Sequence, residues 1–371
     1  MKAGWKVKPL GEVCKVIAGQ SPKGSAYNDS GQGLPFYQGK KDFTERLLAP
    51  PTTWTSQITK EAEVGDILMS VRAPVGPINE AYERICIGRG LAAIRASKQV
   101  EKDYIWYSLL WKQPEISGHQ GAVFSSINKA GIEAIEIPIP PLEEQKRIVA
   151  VLDAAFEGLT RAKENAEANL QNARDLFEGF ASSAVEESLA KFPILSLTDV
   201  SDNLDRQRVP ITKTDRVAGD VPYYGASGVV DHVKEHLFDE DLLLVSEDGA
   251  NLLARTYPIA FSVSGKTWVN NHAHVLRFKD RSRQEFVSLY LNSISLVPYV
   301  SGMAQPKLNQ KALNTIPIPD LPENVCATVV RQATRLQEAV ETLDTNYRAK
   351  LTDIADLRQS LLQKAFAGEL T

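Results

Sequence analysis

Two sets of side chains in this 371-residue chain are of types that do chemistry. The smaller set is histidine: His232-x3-His236 and His272-x-His274, near Asp239 and Asp241. A His-x-His pair on a strand points both rings to one face and suits zinc, which would make the chain a metal-dependent hydrolase. No nucleophile or general-base motif accompanies these residues, so they read more simply as polar strand and loop histidines. The larger set is basic and amide side chains gathered in turn-like stretches. Lys23 lies near Tyr27 and Asn28, followed by Gln38-Gly39-Lys40-Lys41, Arg72, Arg89 and Ser125-Ser126-Ile127-Asn128-Lys129. Further on come Arg206-Gln207-Arg208, Tyr223-Tyr224-Gly225-Ala226-Ser227, Lys266, Gln305-Pro306-Lys307 and Asn309-Gln310-Lys311. Such side chains bind phosphates and read base edges, Arg or Lys on guanine and Asn or Gln on adenine. Other chemistries lack their motifs: there is no GxxxxGK[ST] loop, no HExxH and no GxSxG. Pro50-Pro51-Thr52 and Pro140-Pro141-Leu142 are not the D/N-P-P-aromatic loop of a base methyltransferase.

The elements that position these residues are duplicated. Leu10-Gly11-Glu12-Val13 is matched by Leu197-Thr198-Asp199-Val200, and Leu34-Pro35-Phe36-Tyr37-Gln38-Gly39 by Val221-Pro222-Tyr223-Tyr224-Gly225. Gly65-Asp66-Ile67-Leu68-Met69-Ser70 answers to Glu240-Asp241-Leu242-Leu243-Leu244-Val245-Ser246. Ser126-Ile127-Asn128-Lys129 parallels Lys307-Leu308-Asn309-Gln310, and Ile137-Pro138-Ile139-Pro140 parallels Ile316-Pro317-Ile318-Pro319. Five matches in one order, half a chain apart, indicate a tandem duplication. Buried strands are expected at Asp66–Val71 and Leu242–Ser246, and short helices at Tyr104–Leu110 and Glu285–Leu291.

After each IPIP string the composition turns helical. Apolar residues recur at three-and-four spacing through Ile148, Leu152, Phe156, Leu159, Ala166, Leu170, Ala173, Phe177, Phe180 and Ala184. A second stripe runs through Val329, Leu336, Val340, Leu343, Tyr347, Leu351, Ile354, Leu357 and Leu361. A first segment ~70 Å long needs a partner for its apolar seam, and the second segment matches it in length and pattern. The expected fold is α+β: two similar domains in tandem, each followed by a long helix, the helices pairing as a coiled coil. The expected divisions are 1–141, 142–190, 191–319 and 320–371.

Composition narrows the class. Hydrophobic content of 43% with 24% charged is that of a globular chain. No apolar run reaches membrane-spanning length, and Met1-Lys2-Ala3-Gly4-Trp5-Lys6 lacks the apolar core of a signal peptide, so a cytoplasmic setting is expected. Cys14, Cys86 and Cys326 are widely spaced and read as reduced thiols. The net charge of -4 argues at first against nucleic acid. By block, however, 17 basic and 14 acidic residues give +3 in 1–141, and 5 and 10 give -5 in 142–190. Equal numbers, 14 and 14, give 0 in 191–319, and 6 and 8 give -2 in 320–371. The helices carry the acidity; the globular blocks are neutral to mildly basic.

The run Ile137-Pro138-Ile139-Pro140-Pro141-Leu142-Glu143-Glu144-Gln145-Lys146-Arg147-Ile148-Val149-Ala150-Val151-Leu152 resembles the signature that opens the central helix in specificity (S) subunits of type I restriction-modification systems. Leu357-Arg358-Gln359-Ser360-Leu361-Leu362-Gln363-Lys364-Ala365-Phe366-Ala367-Gly368-Glu369-Leu370 resembles that family's usual ending, and Trp5-Lys6-Val7-Lys8-Pro9-Leu10-Gly11-Glu12-Val13 its start. Pro319-Asp320-Leu321-Pro322-Glu323-Asn324 departs from the family's PPLxEQ at the second helix start. The resemblance implies two target recognition domains inverted about a pseudo-two-fold axis by an antiparallel coiled coil, each reading half of a bipartite, asymmetric sequence in double-stranded DNA. It implies two methyltransferase (M) subunits supplying S-adenosylmethionine, restriction (R) subunits adding cleavage, and no catalysis, cofactor or metal in this chain. It also implies that the coiled coil sets the spacer, one heptad being worth roughly 10 Å, or ~3 base pairs. Within that frame the expected DNA contacts are Lys40, Lys41, Arg72, Arg89, Asn128 and Lys129, then Arg206, Arg208, Tyr224, Ser227, Lys266, Lys307 and Lys311. The expected contacts with M subunits are Glu143, Glu144, Gln145, Gln363, Lys364 and Phe366. The alternatives are a coiled-coil scaffold without DNA contact and the metal hydrolase.

Overall fold

The computed structural model describes residues 2, 4–118, 126–302 and 305–370; Met1, Ala3 and Ser125 lie outside them. The chain divides into two units, Met1–Ala166 with Ala349–Thr371, and Glu167–Arg348. Each long helix is shared between the units: Leu142–Lys191 is cut after Ala166, and Glu323–Ala367 after Arg348.

Unit 1 is built on an antiparallel sheet in the spatial order Cys14–Ala18, Leu91–Ala96, Ile67–Ser70 and Ile78–Glu80. All four residues of Ile67-Leu68-Met69-Ser70 are buried, as expected of a central strand covered on both faces. One face takes the helix Lys102–Ile116 through Tyr104, Ile105 and Leu109, confirming the helix expected there. The other face meets a second, mixed sheet in which Leu34–Tyr37 runs parallel to Ile85–Ile87. A two-stranded ribbon, Lys6–Pro9 against Glu136–Ile139, joins the domain to the start of the first long helix.

Unit 2 repeats this plan. Its antiparallel sheet runs Asp202–Asn203, Ala273–Arg277, Leu242–Ser246, Ala260–Val263. Its mixed sheet again has one parallel pair, Val221–Gly225 with Lys266–Val269. The helix Arg281–Ser293 covers the outer face, started by Asp280, whose carboxylate accepts from the Ser282 and Arg283 N–H groups. The ribbon is Ile194–Ser196 against Pro317–Pro319.

Register corrects one detail of the sequence matches. Lys8 pairs with Ile137 in unit 1, and Leu195 with Ile318 in unit 2, so Ile137-Pro138 answers Ile318-Pro319. Matching the two IPIP strings letter for letter is therefore two residues out of step, an error that a period-two strand pattern cannot reveal. With the correct offset Pro141 answers Pro322, and each accepts an N–H of the first helical turn, from Glu144 and Val325, at 2.9 Å. Gln145 then answers Cys326. Gln145 donates from Nε2 to the Pro140 carbonyl at 2.8 Å, and the Cys326 thiol lies 3.7 Å from the Leu321 carbonyl. The departure at the second helix start thus keeps the geometry with a different side chain.

Within each unit the two helix segments run antiparallel. In unit 1 Ile148, Leu152 and Phe156 share a core with Leu362, Ala365 and Phe366, and the Arg358 guanidinium lies 4.6 Å from the Phe156 ring centre. In unit 2 Arg174 meets Asp344 at 2.6 Å, while Val185 shares a core with Cys326. The less exposed positions of the second helix follow a heptad, Cys326, Ala333, Val340, Tyr347, Ile354 and Leu361 on one row and Val330, Asp344, Leu351, Arg358 and Ala365 on the other, with the exposed Gln337 interrupting the second row. Leu343 and Leu357, expected in the seam, are 40% and 49% exposed. Asp344 and Arg358 occupy the rows next to them, and each is satisfied by a polar or cation–π partner. All three cysteines are buried thiols, with burial pushing Cys14 up to about 12 and Cys326 up to about 11.

Candidate nucleic-acid interface

At one end of its paired sheets each unit gathers three loops and a chain crossing, held by the same backbone hydrogen bonds. In unit 1 the strand Ile67–Ser70 ends in Val71-Arg72. The Val71 N–H donates to Gly90 at 3.0 Å, its carbonyl accepts from Ile127 at 3.0 Å, and the Gly88 N–H donates to Tyr37 at 2.8 Å. In unit 2 Leu242–Ser246 ends in Glu247-Asp248. The Glu247 N–H donates to His272 at 2.9 Å, its carbonyl accepts from Leu308 at 2.8 Å, and the Asn270 N–H donates to Tyr224 at 3.0 Å. Isolated β-bridges Arg72–Ser126 and Asp248–Lys307 complete the correspondence. Gly90 is required here: a Cβ on it would stand 2.2 Å from the Gln38 carbonyl oxygen.

This frame brings several of the expected residues together. Arg72 and Arg89 are exposed on adjoining loops, and Lys40 and Lys41 are exposed on the 3-10 turn that follows Gln38-Gly39. The Arg89 N–H donates to the Ser21 hydroxyl at 3.2 Å. In unit 2 Ser227, at the tip of the Val221–Val233 hairpin, donates to the Tyr257 hydroxyl at 3.0 Å. Lys307 is half exposed with its ammonium 3.2 Å from Glu247. Arg206 is exposed on the 3-10 turn Asp205–Gln207. Tyr224 is partly buried, its ring 6.1 Å from that of Phe261, and burial raises its phenol. Lys311 is exposed on the short helix Gln310–Asn314.

Other expected contacts are engaged within the chain or lie away from the loop cluster. Asn128 caps the helix Lys129–Glu133, its carbonyl oxygen accepting from the Gly131 N–H at 2.8 Å, and Asn309 caps its counterpart in unit 2. Lys129 pairs along that helix with Glu133 at 3.4 Å. Lys266 begins its strand opposite Asp239, at the far end from the loop that carries Asn270. Arg208 is the clearest correction. Its guanidinium is drawn inside unit 2, donating to Glu247 and to the Ala273 carbonyl, both at 2.7 Å. It belongs to a buried network in which the ring nitrogens of His274, 1% exposed, meet the Asp205 carboxylate at 2.6 Å and the Leu308 carbonyl at 2.7 Å. Burial alone would raise Asp205, but the bonds from His274 and the Val275 N–H and the charge of Arg208 hold it below the usual carboxylate range. Glu247 is lowered in the same way, burial being outweighed by Arg208, His274 and Lys307.

The zinc reading loses its site. His272 bonds Asp248 at 2.8 Å while His274 turns into the buried network, so the two rings do not converge. His232 and His236 are exposed, and among the described residues no three metal-binding side chains come together. Three of the expected M-subunit contacts are also corrected. Glu144 is buried against Lys2, at 2.6 Å, and the Trp5 indole N–H; Gln145, 1% exposed, also accepts from the Glu101 N–H at 2.9 Å. Phe366 stacks on Trp111 at 5.1 Å and meets Tyr104 edge-on. Their motifs read as surface signatures, yet they hold unit 1 together. Glu143, Gln363 and Lys364 remain exposed. Asp248 and Tyr257 are absent from the residues that sequence singles out; the match of Gly65–Ser70 to Glu240–Ser246, carried two residues further, sets Asp248 beside Arg72.

A duplicated α+β unit on a shared antiparallel helix pair, with different exposed side chains on one loop frame, defines a tandem-repeat protein. The chain belongs to the family of type I restriction modification DNA specificity domains, whose model matches residues 2–170 and 191–352. It is 42% identical over 174 residues to a candidate type I restriction enzyme MjaX specificity subunit of Methanocaldococcus jannaschii, covering 46% of this chain and 40% of that one. The match thus spans less than half of that relative's length. It is 23% identical to the type I restriction enzyme StySPI specificity subunit of Salmonella potsdam, over 99% of this chain and 89% of that one. A structure from a study of assembly and conformational transition of the type I restriction-modification system superposes with a TM-score of 0.77 at 19% identity, covering 100% of this chain and 99% of that one, and so shares the fold.

Proposed function

We propose that this chain is the DNA sequence-specificity subunit of a type I restriction-modification complex. Each unit reads one half of a bipartite, asymmetric site through its loop cluster, and the helix pair sets the spacer and docks two methyltransferase subunits. Methylation, with S-adenosylmethionine, and cleavage reside in the M and R subunits of what would be a cytoplasmic assembly, and this chain carries no catalytic step. The observation that carries the reading is the repeated loop frame: backbone bonds are equivalent in the two units, while the exposed side chains differ, as a reader of two different half-sites requires. A scaffold without DNA contact has no use for such a frame. With a net charge of -4, the chain alone is expected to bind DNA weakly, the remaining positive charge coming from the M subunits.

The test is to map adenine methylation in cells with and without the gene. A new bipartite motif with a fixed spacer is expected, and complete absence of a new motif in cells expressing all subunits refutes the proposal. In the reconstituted complex, Lys40→Ala, Lys41→Ala and Lys129→Ala together should weaken binding to every sequence and lessen the salt slope by about one unit for each of these lysines that meets a phosphate.

A further inference from the structure

The correspondence of the two loop frames singles out one position. Ser70 pairs with Leu91 at the end of the central strand of unit 1, and Ser246 pairs with Ala273 at the end of that of unit 2. Two residues beyond these serines stand Arg72 and Asp248. Both are framed by the same bonds from the preceding residue, and both form an isolated bridge with the chain crossing at Ser126 or Lys307. The backbone places the two side chains alike; their charges are opposite. Arg72 is exposed, and among the described residues its guanidinium has no partner. Asp248 is about one-third exposed and is oriented by His272, whose Nδ1 lies 3.0 and 2.8 Å from its two oxygens.

Resting on the function proposed above, we infer that this position reads a base edge in each half-site, Arg72 taking a guanine and Asp248 the exocyclic amine of a cytosine. A phosphate contact would suit Arg72 but would repel Asp248, so one role common to both repeats must lie at the bases. There a guanidinium fits the two acceptors of guanine in the major groove, and a carboxylate accepts from the cytosine N4 amine. His272 is a positioning residue: bound to both oxygens of Asp248, it fixes the carboxylate and offsets the cost of carrying a negative charge toward DNA.

The experiment uses the full chain assembled with its methyltransferase subunits and a library of DNA duplexes randomised over both half-sites, with bound duplexes sequenced. Wild type should enrich a bipartite motif containing a G·C pair in each half. Arg72→Gln should relax one G·C position of one half-site, and Asp248→Asn one C·G position of the other, each by about ten- to hundredfold in discrimination and with every other position unchanged. His272→Ala should relax the same position as Asp248→Asn, but less. All three altered side chains reach the surface, so unchanged melting temperatures are expected. If wild type enriches no motif, the function itself is wrong. If wild type enriches a motif and Asp248→Asn leaves it unchanged, or raises or lowers affinity for all sequences equally, the inference is overturned and the function stands.

Discussion

The buried network beneath the unit 2 loops should make Asp205 one of the most sensitive residues of that unit. Its carboxylate accepts from the Val275 N–H at 2.8 Å, bonds His274 at 2.6 Å and lies 3.6 Å from the Arg208 guanidinium. Asp205→Ala therefore strips a partner from a nearly inaccessible imidazole, a strand N–H and a buried guanidinium at once. Breaking a buried charged pair by removing one partner costs about 3–5 kcal/mol, a large share of the ~5–15 kcal/mol typical of a folded protein. Amide hydrogen exchange measures this locally: protection of Leu242–Ser246 and Ala273–Arg277 should fall by roughly two to three and a half orders of magnitude. Protection of Ile67–Ser70 and Leu91–Ala96 in unit 1 should hold. Asp205→Asn, which keeps an acceptor for the Val275 N–H, should lose less. Acid adds a second arm. Asp205 and Glu247 are both held below their ordinary range in the folded chain, so their contribution is present above their unfolded values and is lost as pH falls through the folded ones. Unit 2 of the wild type should thus lose stability below about pH 4, and Asp205→Asn should flatten that dependence. Exchange rates in Asp205→Ala within about threefold of wild type would refute the reasoning.

Other perturbations separate further parts of the structure. Phe366→Ala removes a ring stacked on Trp111 in the core of unit 1 and should cost about 3–5 kcal/mol in urea unfolding of that unit, far more than Gln363→Ala on the exposed face. Gln145→Ala leaves the Glu101 N–H without its acceptor and should destabilise by about 1–3 kcal/mol, whereas a purely M-docking role would leave the melting of the isolated chain unchanged. Gly90→Ala must push the Gln38 carbonyl away, so DNA binding measured by fluorescence anisotropy should fall more sharply than thermal stability.

Much of this is legible in residue order. The duplication, the buried strands, the paired long helices and the family all follow from short strings and apolar spacing, because periodicity reports burial directly. The seam of the second helix is less so: Leu343 and Leu357 draw attention by being apolar, while the true heptad rows pass through Asp344 and Arg358, whose partners Arg174 and Phe156 lie far away in sequence. The site is legible as composition and not as position. Arg72, Arg89 and the buried Arg208 are indistinguishable in type, and what separates them is whether a carboxylate such as Glu247 waits inside the fold. The motif residues Glu144, Gln145 and Phe366 mislead for a related reason, since a specific string records constraint without saying whether the constraint comes from a partner or from the core.

The division of the chain has a consequence for its synthesis. Unit 2 is one continuous stretch, Glu167–Arg348, inserted within the sequence of unit 1, whose core also needs Leu362, Ala365 and Phe366. Domains generally complete folding in the order in which they leave the ribosome. Here the order is reversed: the unit begun first must wait, its seam at Ile148, Leu152 and Phe156 uncovered, until the second unit has formed and the last helical turns emerge. A chain truncated after Arg348 and released from the ribosome would hold a complete second unit and an unfinished first one, with the apolar seam of the first open to chaperones.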